Sequence, residues 1–221
     1  MTNYKDDWDK HWNSLEKKRP IFNFIVQVYR NLIISNAVNY YFEKYFSSKG
    51  IFIEAGCGTA QSSAKVNKKN RFLVGLDISF PALNEAKLNK KMDCFVQADI
   101  FRLPFKENSI NGIWNLGVME HFHKPDITRI LNQFYKVVKK NSNVILLWPP
   151  NYGASEIVLG LIERTHNLLS KKKIVFFPDE VSRLEGKQHA KSIIDTTDFK
   201  LHNYHFSWRD MFTHGIVVLK K

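Results

Sequence analysis

The amino-acid sequence predicts an α/β domain in which a mainly parallel sheet is flanked by helices. Short apolar runs with strand character alternate along the chain with segments whose apolar residues recur at helical spacing. The first two runs end in a glycine turn and on an acid, at the edge where open α/β sheets bind ligands. With 221 residues, 44% of them apolar, the chain can bury one large core, and we expect a single domain.

The predicted elements begin with a helical region from about residue 3 to residue 47. Apolar runs bounded by turn-forming residues then predict five strands, and two further strands near the C-terminus would close the sheet. The seven runs are IFIEA (51–55), RFLVGLD (71–77), CFVQAD (94–99), INGIWNLG (110–117), NVILLWP (143–149), FKLHNYHFSW (199–208) and HGIVVLKK (214–221).

Two segments between the strands carry clear helix signals. The stretch SFPALNEAKLNKK begins with Ser79, a capping residue, and has Pro81 in its first turn. The stretch DITRILNQFYKVVKKN predicts one amphipathic helix over 126–141, with Lys139 and Lys140 at the negative end of its dipole. Its predicted buried face consists of Ile127, Ile130, Leu131, Phe134, Val137 and Val138.

Composition narrows the class of protein. The only two cysteines, Cys57 and Cys94, show no paired pattern, so we expect a reducing compartment and a cytoplasmic location. Residues 1–20 carry charges of both signs and lack the apolar core of a secretory signal. The apolar stretch 21–46 is interrupted by Asn, Gln and Arg, and it predicts a half-buried helix rather than a membrane span.

The formal net charge of +12 raises the question of a nucleic-acid partner. The basic residues are spread along the whole chain, whereas a nucleic-acid site usually concentrates them in one stripe. A general bias toward lysine explains the charge at least as well. A nucleic-acid partner therefore stays open without being favoured.

A glycine turn follows the first predicted strand, in the pattern Glu54-x-Gly56-x-Gly58-Thr59. Glycine lets the backbone approach a ligand closely, because it lacks Cβ and accepts positive φ. The Lys-Ser/Thr end of a P-loop is missing, and Gln61 stands where a dinucleotide fingerprint needs its third glycine. Asp77 ends the next strand, where a carboxylate can accept both ribose hydroxyls. The pattern predicts a site for a nucleoside without a pyrophosphate.

Over about residues 45 to 150, the chain resembles the class I S-adenosylmethionine-dependent methyltransferases, and within them the small-molecule enzymes that include quinone-biosynthesis O-methyltransferases. Five segments in register carry the resemblance: IEAGCGTAQ (53–61), GLDIS (75–79), VQADIFRLPF (96–105), INGIWNLGVMEHF (110–122) and NVILLWPP (143–150). The resemblance implies a Rossmann-like seven-stranded sheet of order 3-2-1-4-5-7-6 with its last strand antiparallel.

The resemblance also implies S-adenosyl-L-methionine as cofactor and a set of residues that bind it. The glycine turn would pass under the methionine and ribose portion. Asp77 would bind the ribose and Asp99 the adenine amino group, with Ile78 and Ile100 on either side of the ring. The full predicted cofactor site is Glu54, Gly56, Cys57, Gly58, Thr59, Asp77, Ile78, Asp99, Ile100 and Asn115.

The sequence departs from the family pattern at three places. Ala60 replaces the usual third glycine, a change of one methyl group that a helix start tolerates. Asn111 replaces the aspartate that is common early in the fourth motif. The residues 141–143, Asn-Ser-Asn, replace a Pro-Gly-Gly turn before the fifth strand. None of these positions belongs to the predicted cofactor site.

Methyl transfer from a sulfonium is an in-line displacement that needs alignment and exclusion of water more than it needs an acid. A base is required only if the acceptor is a hydroxyl, and His121, directly after the fourth strand, is the best candidate. The simpler interpretation is a structural histidine, so no catalytic residue is assigned. Some related enzymes bind a metal ion through two acids and a histidine in the segment after the fourth strand. Glu120 and His121 match the second acid and the histidine of that set, but Gly117 stands in place of the first acid. We therefore predict no metal site.

Segments outside the core are predicted to cover the site. Near the N-terminus, Tyr4, Trp8 and Trp12 recur at helical spacing, as core packing or as a cover over the cofactor. Residues 151–184 are longer than an ordinary connection and are expected to form an acceptor lid or simply a packed helix. Their basic-then-apolar order, Lys171 to Lys173 followed by Phe176 and Phe177, would also suit a membrane surface.

The sequence thus predicts one methyltransferase domain. Its parts are an N-terminal helical cover (1–47), a cofactor-binding core (48–150), an inserted lid (151–184) and a C-terminal helix and strand pair (185–221). The predicted function is S-adenosylmethionine-dependent methyl transfer to a small-molecule acceptor in a water-excluded pocket. The alternatives are an RNA or protein methyltransferase and a non-catalytic scaffold that keeps the cofactor fold. Oligomeric state is not predicted.

Overall fold

The computed structural model describes residues 5–10, 12, 27–154, 164 and 180–221. Seven strands form one sheet in the order β3-β2-β1-β4-β5-β7-β6, which confirms the order implied by the family resemblance. The strands are β1 (Gly50–Ala55), β2 (Arg71–Asp77), β3 (Cys94–Gln97), β4 (Ile110–Leu116), β5 (Val138–Trp148), β6 (Lys200–His205) and β7 (Gly215–Lys220).

The first five strands are parallel, and β7 is antiparallel to both β5 and β6. The carboxyl ends of β1, β2, β3, β4 and β5 therefore meet at one edge of the sheet. Because Gly215, the first residue of β7, pairs with Trp148, the last residue of β5, the connection between β6 and β7 lies at that same edge. We call it the carboxyl edge.

Helices cover both faces of the sheet, and each face has its own apolar core. The predicted helix start at Ser79 is confirmed, since its side chain accepts a hydrogen bond from the Ala82 N–H and Pro81 lies in the first turn. Residues 5–10, 12 and 27–29 are also helical. The helices with both ends described are α1 (Ser35–Tyr45, after a π turn at Arg30–Ile34), α2 (Phe80–Asn89), α3 (Lys124–Val137) and α4 (Lys187–Ile194).

The prediction of one helix over 126–141 was wrong at its C-terminal end. Helix α3 ends at Val137, and Val138 is the first residue of β5, where it pairs with Ile110. Lys139 and Lys140 are exposed strand residues, so they do not lie at the end of the helix dipole. The β-branched pair Val137–Val138 suits a strand, and pairing with β4 decides the outcome. The rest of the predicted apolar face is buried as expected: Ile127, Ile130, Leu131, Phe134 and Val137.

The Asn-Ser-Asn stretch lies within β5 as an irregularity of the strand rather than as a separate turn before it. Asn141 has a left-handed backbone with φ of 62°, and its N–H donates to the Lys221 carbonyl. The register with β4 jumps here, from Ile110 opposite Val138 to Gly112 opposite Asn143. Asparagine tolerates this conformation better than most residues, so a turn signal in the sequence became a bulge.

Several predictions fall outside the described residues. They concern Tyr4, the helical region over 13–26, and the greater part of the proposed lid, including Lys171 to Lys173, Phe176 and Phe177. Within the described parts of the chain, none of the helices combines the length and the apolar character that a membrane crossing needs.

Candidate functional site

The glycine turn leaves β1 at the carboxyl edge and carries the backbone conformations that require glycine. Gly56 and Gly58 have φ of 75° and 50°. The N–H groups of Gly56 and Cys57 both donate to the Leu76 carbonyl, at 2.7 and 3.0 Å, which ties the turn to the end of β2. Ala60, the position of the missing third glycine, also has a left-handed backbone with φ of 55° and precedes a short 3₁₀ turn.

Glu54 anchors this turn from within β1. It is 1% exposed, and its two carboxylate oxygens accept hydrogen bonds from Ser62 Oγ and Ser63 Oγ at 3.0 and 2.7 Å. Burial raises the pKa of its carboxyl to about 7, against the lowering effect of the two serines. Glu54 belongs to the predicted cofactor-binding set, and the contacts seen here are those of a residue that positions the turn.

Asp77 ends β2 directly beside the glycine turn. Its Oδ2 accepts from the Gly58 N–H at 2.8 Å, and its Oδ1 accepts from the Ser79 N–H at 2.9 Å. Burial raises the pKa of this carboxyl, while both backbone donors oppose the rise. A carboxylate has about four acceptor positions, so each oxygen keeps one more for a ligand. This capacity is compatible with the predicted role of Asp77, which is to accept two ribose hydroxyls.

The residues predicted to flank a base follow β2 and β3, which are neighbours in the sheet. Ile78 and Ile100 are half-buried, and Asp99 is exposed. The Ala98 N–H donates to the Asp77 carbonyl at 3.0 Å, and Asp99 Oδ1 accepts from the Phe101 N–H at 2.9 Å. The first bond joins the ends of the two strands at the carboxyl edge, and the second is local to the segment that follows β3.

The remaining predicted site residues are buried. Cys57 is 6% exposed, and burial raises the pKa of its thiol well above the usual range, which argues against a nucleophilic role. Thr59 lies in the turn, and its carbonyl accepts from the Asn89 side chain. Asn115, near the end of β4, is fully buried, and neither polar atom of its amide has a partner among the described residues. An unpaired buried amide is costly, so Asn115 stays a candidate to bind a ligand.

A short N-terminal segment, residues 5–10 and 12, lies over three parts of this site. The Trp8 and His121 rings meet edge to face with centroids 4.9 Å apart. Trp12 lies against Gly58, where a Cβ would come within 2.7 Å of the indole. Between these two contacts, Asp9 accepts from Ser79 Oγ at 2.7 Å. The spacing of the tryptophans was visible in the sequence, whereas nothing there singled out Asp9.

Glu120 follows β4 and is buried deeply for a charged residue. It is 2% exposed, its Oε2 has no hydrogen-bond partner among the described residues, and burial raises the pKa of its carboxyl to about 8. Its carbonyl accepts from the Val181 and Ser182 N–H groups at 2.7 and 3.0 Å. The segment from 180 onward is thereby joined to the end of β4. From the sequence, Glu120 was considered as a metal ligand, as a solvated charge or as a cap of the following helix; its burial shows that the solvated charge was wrong.

No group of three His, Cys, Asp or Glu side chains within the described residues is arranged to hold a metal ion. Gly117 has φ of 66°, and Glu120 Oε1 lies 3.3 Å from the position that a Cβ on Gly117 would take. An acid at position 117 would therefore be both strained and crowded in this structure.

Replacing Gly58 with alanine should disrupt the turn and lower cofactor affinity at least about tenfold. A left-handed backbone costs a residue with Cβ about 1–2 kcal/mol, and here the Cβ would also meet Trp12. Calorimetric titration of S-adenosylmethionine measures the effect. Gly186→Ala is a suitable control, because Gly186 also has positive φ but, among the described residues, its Cβ would meet only the Tyr152 hydroxyl, at 3.7 Å. Equal affinity in both variants would mean that the ligand does not approach Gly58.

Comparison with known proteins shows which protein family the central part of the chain matches. Residues 53–146 match the family described as "Methyltransferase domain". Malonyl-[acyl-carrier protein] O-methyltransferase of Erwinia pyrifoliae is 36% identical over 67 residues, which is 30% of this chain and 26% of that protein. Its counterpart in Hamiltonella defensa is 26% identical over 97 residues, 44% of this chain and 37% of that protein. The chain spans less than half the length of the curated relatives it matches.

Solved structures share the fold over the whole chain. Magnesium protoporphyrin IX methyltransferase from Synechocystis PCC 6803, with bound S-adenosylmethionine, superimposes with a TM-score of 0.68 at 13% identity, covering 100% of this chain and 99% of that one. Geranyl diphosphate C-methyltransferase from Streptomyces coelicolor A3(2) gives a TM-score of 0.66 at 11% identity, covering 100% and 98%.

The sheet order, the glycine turn and these matches together define a methyltransferase fold. Over residues 53–146 the chain matches a methyltransferase domain, and its seven-stranded sheet has the fold of the class I, S-adenosylmethionine-dependent methyltransferases. The family resemblance inferred from the five sequence segments is thereby confirmed at the level of the class.

Proposed function

We propose that the protein binds S-adenosylmethionine and transfers its methyl group to a small-molecule acceptor. The observation that carries the proposal is the pairing of the Gly58 N–H with the Asp77 carboxylate inside a methyltransferase domain. This pairing joins a backbone that is open to a ligand with an acid that still has acceptor positions. Both lie at the carboxyl edge, where α/β folds bind ligands.

The residues present fit this cofactor. Asp77 keeps one acceptor position on each oxygen, which matches two vicinal ribose hydroxyls. Ile78 and Ile100 are half-buried apolar side chains that suit the two faces of an adenine, with Asp99 exposed nearby to accept from its amino group. The buried amide of Asn115 would gain hydrogen bonds that it lacks among the described residues. We also keep Gly56, Cys57 and Thr59 as backbone contacts, and Glu54 as a support of the turn.

When bound, S-adenosylmethionine supplies a methyl group on a positively charged sulfur. The chain's own part is to align the acceptor with that methyl group and to exclude water, which can account for several kcal/mol of a lowered barrier. Trp8 and Trp12 lie beside His121 and Gly58 and would shield this region from solvent. An aromatic face near a sulfonium adds about 0.5–2 kcal/mol of cation-π energy.

A small-molecule acceptor is supported by the neighbours in sequence and fold. The names of two solved structures give small molecules, magnesium protoporphyrin IX and geranyl diphosphate. The name of one relative gives a malonyl group that is carried on acyl-carrier protein. We place the acceptor beyond the ends of β4 and β5, beside His121. The two cysteines are free, which is in keeping with the proposed cytoplasmic location.

His121 is a candidate base if the acceptor atom is an oxygen. In that case His121→Asn should lower turnover at least about a hundredfold and leave cofactor affinity nearly unchanged, because proton transfer would be lost but no cofactor contact. His123→Asn is a matched control, two residues further along the chain. Steady-state kinetics measures the effect: undiminished turnover in His121→Asn would make His121 a structural residue, and one of its structural contacts is with Trp8.

The proposal is tested by following release of S-adenosylhomocysteine from the purified protein across a library of small hydroxyl, carboxyl and amine compounds. Turnover with any of them supports the proposal and names the acceptor. Turnover only with RNA or protein would favour the alternative class. Cofactor binding in calorimetry with no turnover on any acceptor would favour a non-catalytic scaffold.

A further inference from the structure

The connection between β6 and β7 exposes three large apolar side chains at the carboxyl edge. Trp208 begins a short 3₁₀ turn (Trp208–Asp210) and is 70% exposed. Met211 and Phe212 follow directly and are 54% and 43% exposed. We call Trp208, Met211 and Phe212 the apolar tip. Single exposed apolar residues are ordinary, but three within five positions form a patch.

The backbone of the apolar tip is held in an unfavourable conformation. Met211 and Phe212 are consecutive residues with left-handed φ of 59° and 55°, a region that residues with Cβ rarely adopt. Glycine or asparagine would relieve the strain at either position, yet both side chains are large and apolar. Strain of this kind persists where the surroundings impose it and often accompanies function.

A buried polar cluster below the tip imposes this conformation. Asp210 is fully buried, and its Oδ2 accepts from the His214 N–H at 2.7 Å. The Thr213 hydroxyl and the Tyr29 hydroxyl both donate to the Asp210 carbonyl, at 2.7 and 2.9 Å. The tip is therefore a rigid projection on a fixed base rather than a loose loop.

Three backbone N–H groups of the connection that carries the tip have acceptors within the same connection. The Met211 N–H donates to the Trp208 carbonyl at 2.9 Å, and the Phe212 N–H donates to the Ser207 carbonyl at 3.0 Å. The Arg209 N–H donates to Ser207 Oγ at 3.4 Å. A segment that satisfies its own donors can enter an apolar environment without the cost of unpaired backbone groups.

The charges around the tip are positive. The Arg209 guanidinium lies 3.7 Å from the centre of the Tyr40 ring and 5.2 Å from that of Trp208. Lys44 Nζ lies 6.0 Å from the Tyr40 ring on α1. The nearest acid in sequence, Asp210, is fully buried, and its Oδ2 accepts from the His214 N–H. The chain as a whole carries a net charge of +12.

We propose that the apolar tip docks the protein on the surface of an anionic lipid bilayer, with the carboxyl edge facing the membrane. Aromatic and long apolar side chains with basic neighbours are the composition that binds the boundary between headgroups and acyl chains. Arg209 and Lys44 supply charge complementarity to lipid phosphates. Self-association through the same patch is disfavoured, because a two-fold contact would bring these cations together. The tip belongs to a different part of the chain from residues 171–177.

The test is co-sedimentation of the full chain with vesicles of phosphatidylcholine containing phosphatidylglycerol, and with vesicles of phosphatidylcholine alone. The wild-type protein should bind the anionic vesicles, and less so at high salt. Trp208→Ser combined with Phe212→Gly should abolish binding, and Arg209→Gln should weaken it about fivefold. Leu88→Ser is the matched control, since Leu88 is 81% exposed on α2, between the strands farthest from the tip, and its loss should change nothing.

Thermal melting shows whether the Met211 and Phe212 side chains serve membrane binding or stabilise the fold. Met211→Gly and Phe212→Gly remove the left-handed strain together with the side chain, so their melting temperatures should be unchanged or raised while vesicle binding falls. A lower melting temperature with full vesicle binding would make the two side chains structural and overturn the proposal. The proposal would also be overturned if the wild-type protein did not bind anionic vesicles. The same holds if substitutions in the tip changed only the monomer–dimer equilibrium, or only the binding of an acidic protein.

Discussion

Replacing Glu120 with glutamine is expected to stabilise the folded protein at pH 8 by several kcal/mol and to remove much of the fall in stability between about pH 4.5 and pH 8. Glu120 is 2% exposed, and burial raises the pKa of its carboxyl from 4.5 to about 8. Glutamine keeps the shape of the protonated acid and the main-chain bonds to Val181 and Ser182, but it has no proton to lose.

The direction follows from proton linkage. Between pH 4.5 and about 8 the folded protein retains the Glu120 proton, whereas the unfolded chain releases it. Stability therefore falls as pH rises through this range and is level above it. The difference between 4.5 and about 8 corresponds to about 5 kcal/mol for a group buried this deeply.

Chemical denaturation at a series of pH values measures this effect, and Glu107→Gln provides the control. The Glu107 side chain is 62% exposed and forms a surface ion pair with Lys136, so its loss should change stability by less than about 1 kcal/mol at any pH. Parallel stability curves for wild type and Glu120→Gln across pH 4.5 to 8 would show that Glu120 titrates normally in the folded protein.

Asp77→Ala should lower the affinity for S-adenosylmethionine by two to four orders of magnitude. Two hydrogen bonds from ribose hydroxyls to a charged carboxylate are lost, and each contributes about 1.5–3 kcal/mol. One such bond corresponds to about ten- to a hundredfold in affinity. The Gly58 and Ser79 N–H groups also lose their acceptor, which adds disorder in the turn to the direct loss.

Asp93→Ala separates the ligand contact from a general effect of removing an aspartate. Asp93 also accepts from a backbone N–H, that of Leu73 at 2.8 Å, but it precedes β3 at the opposite edge of the sheet. Calorimetric titration, with melting curves to confirm folding, should show near-normal affinity for Asp93→Ala. Equal losses in both variants, or no loss in Asp77→Ala, would remove Asp77 from the cofactor site.

The parts of the fold that local pattern determines were predicted well from the sequence. β2 has the predicted bounds, because RFLVGLD is a continuous apolar run that ends on an acid. The C-terminal end of α3 was not predicted correctly, because Val137 and Val138 fit a helical face and a strand equally. Only the pairing of Val138 with Ile110 shows that the strand begins there. Asn141 shows the same limit: its sequence signals a turn, and its place in the sheet makes it a bulge.

The candidate site divides in the same way. The positions of Gly58 in the turn and of Asp77 at the end of β2 were predicted, because spacing along the chain indicates backbone conformation and strand ends; their roles as cofactor contacts stay predictions. The serine partners of Glu54 and the contact of Trp12 with Gly58 were not found, because they depend on how distant segments pack. The burial of Glu120 has no local signal, since its neighbours in sequence do not form an apolar run.

The most direct test of the central claim is an experimental structure of the protein with S-adenosylhomocysteine. We expect both ribose hydroxyls within hydrogen-bond distance of the Asp77 carboxylate, the adenine between Ile78 and Ile100, and the amino-acid portion against Gly56 and Gly58. A ligand bound elsewhere on the chain, or at this edge with its ribose away from Asp77, would contradict the account.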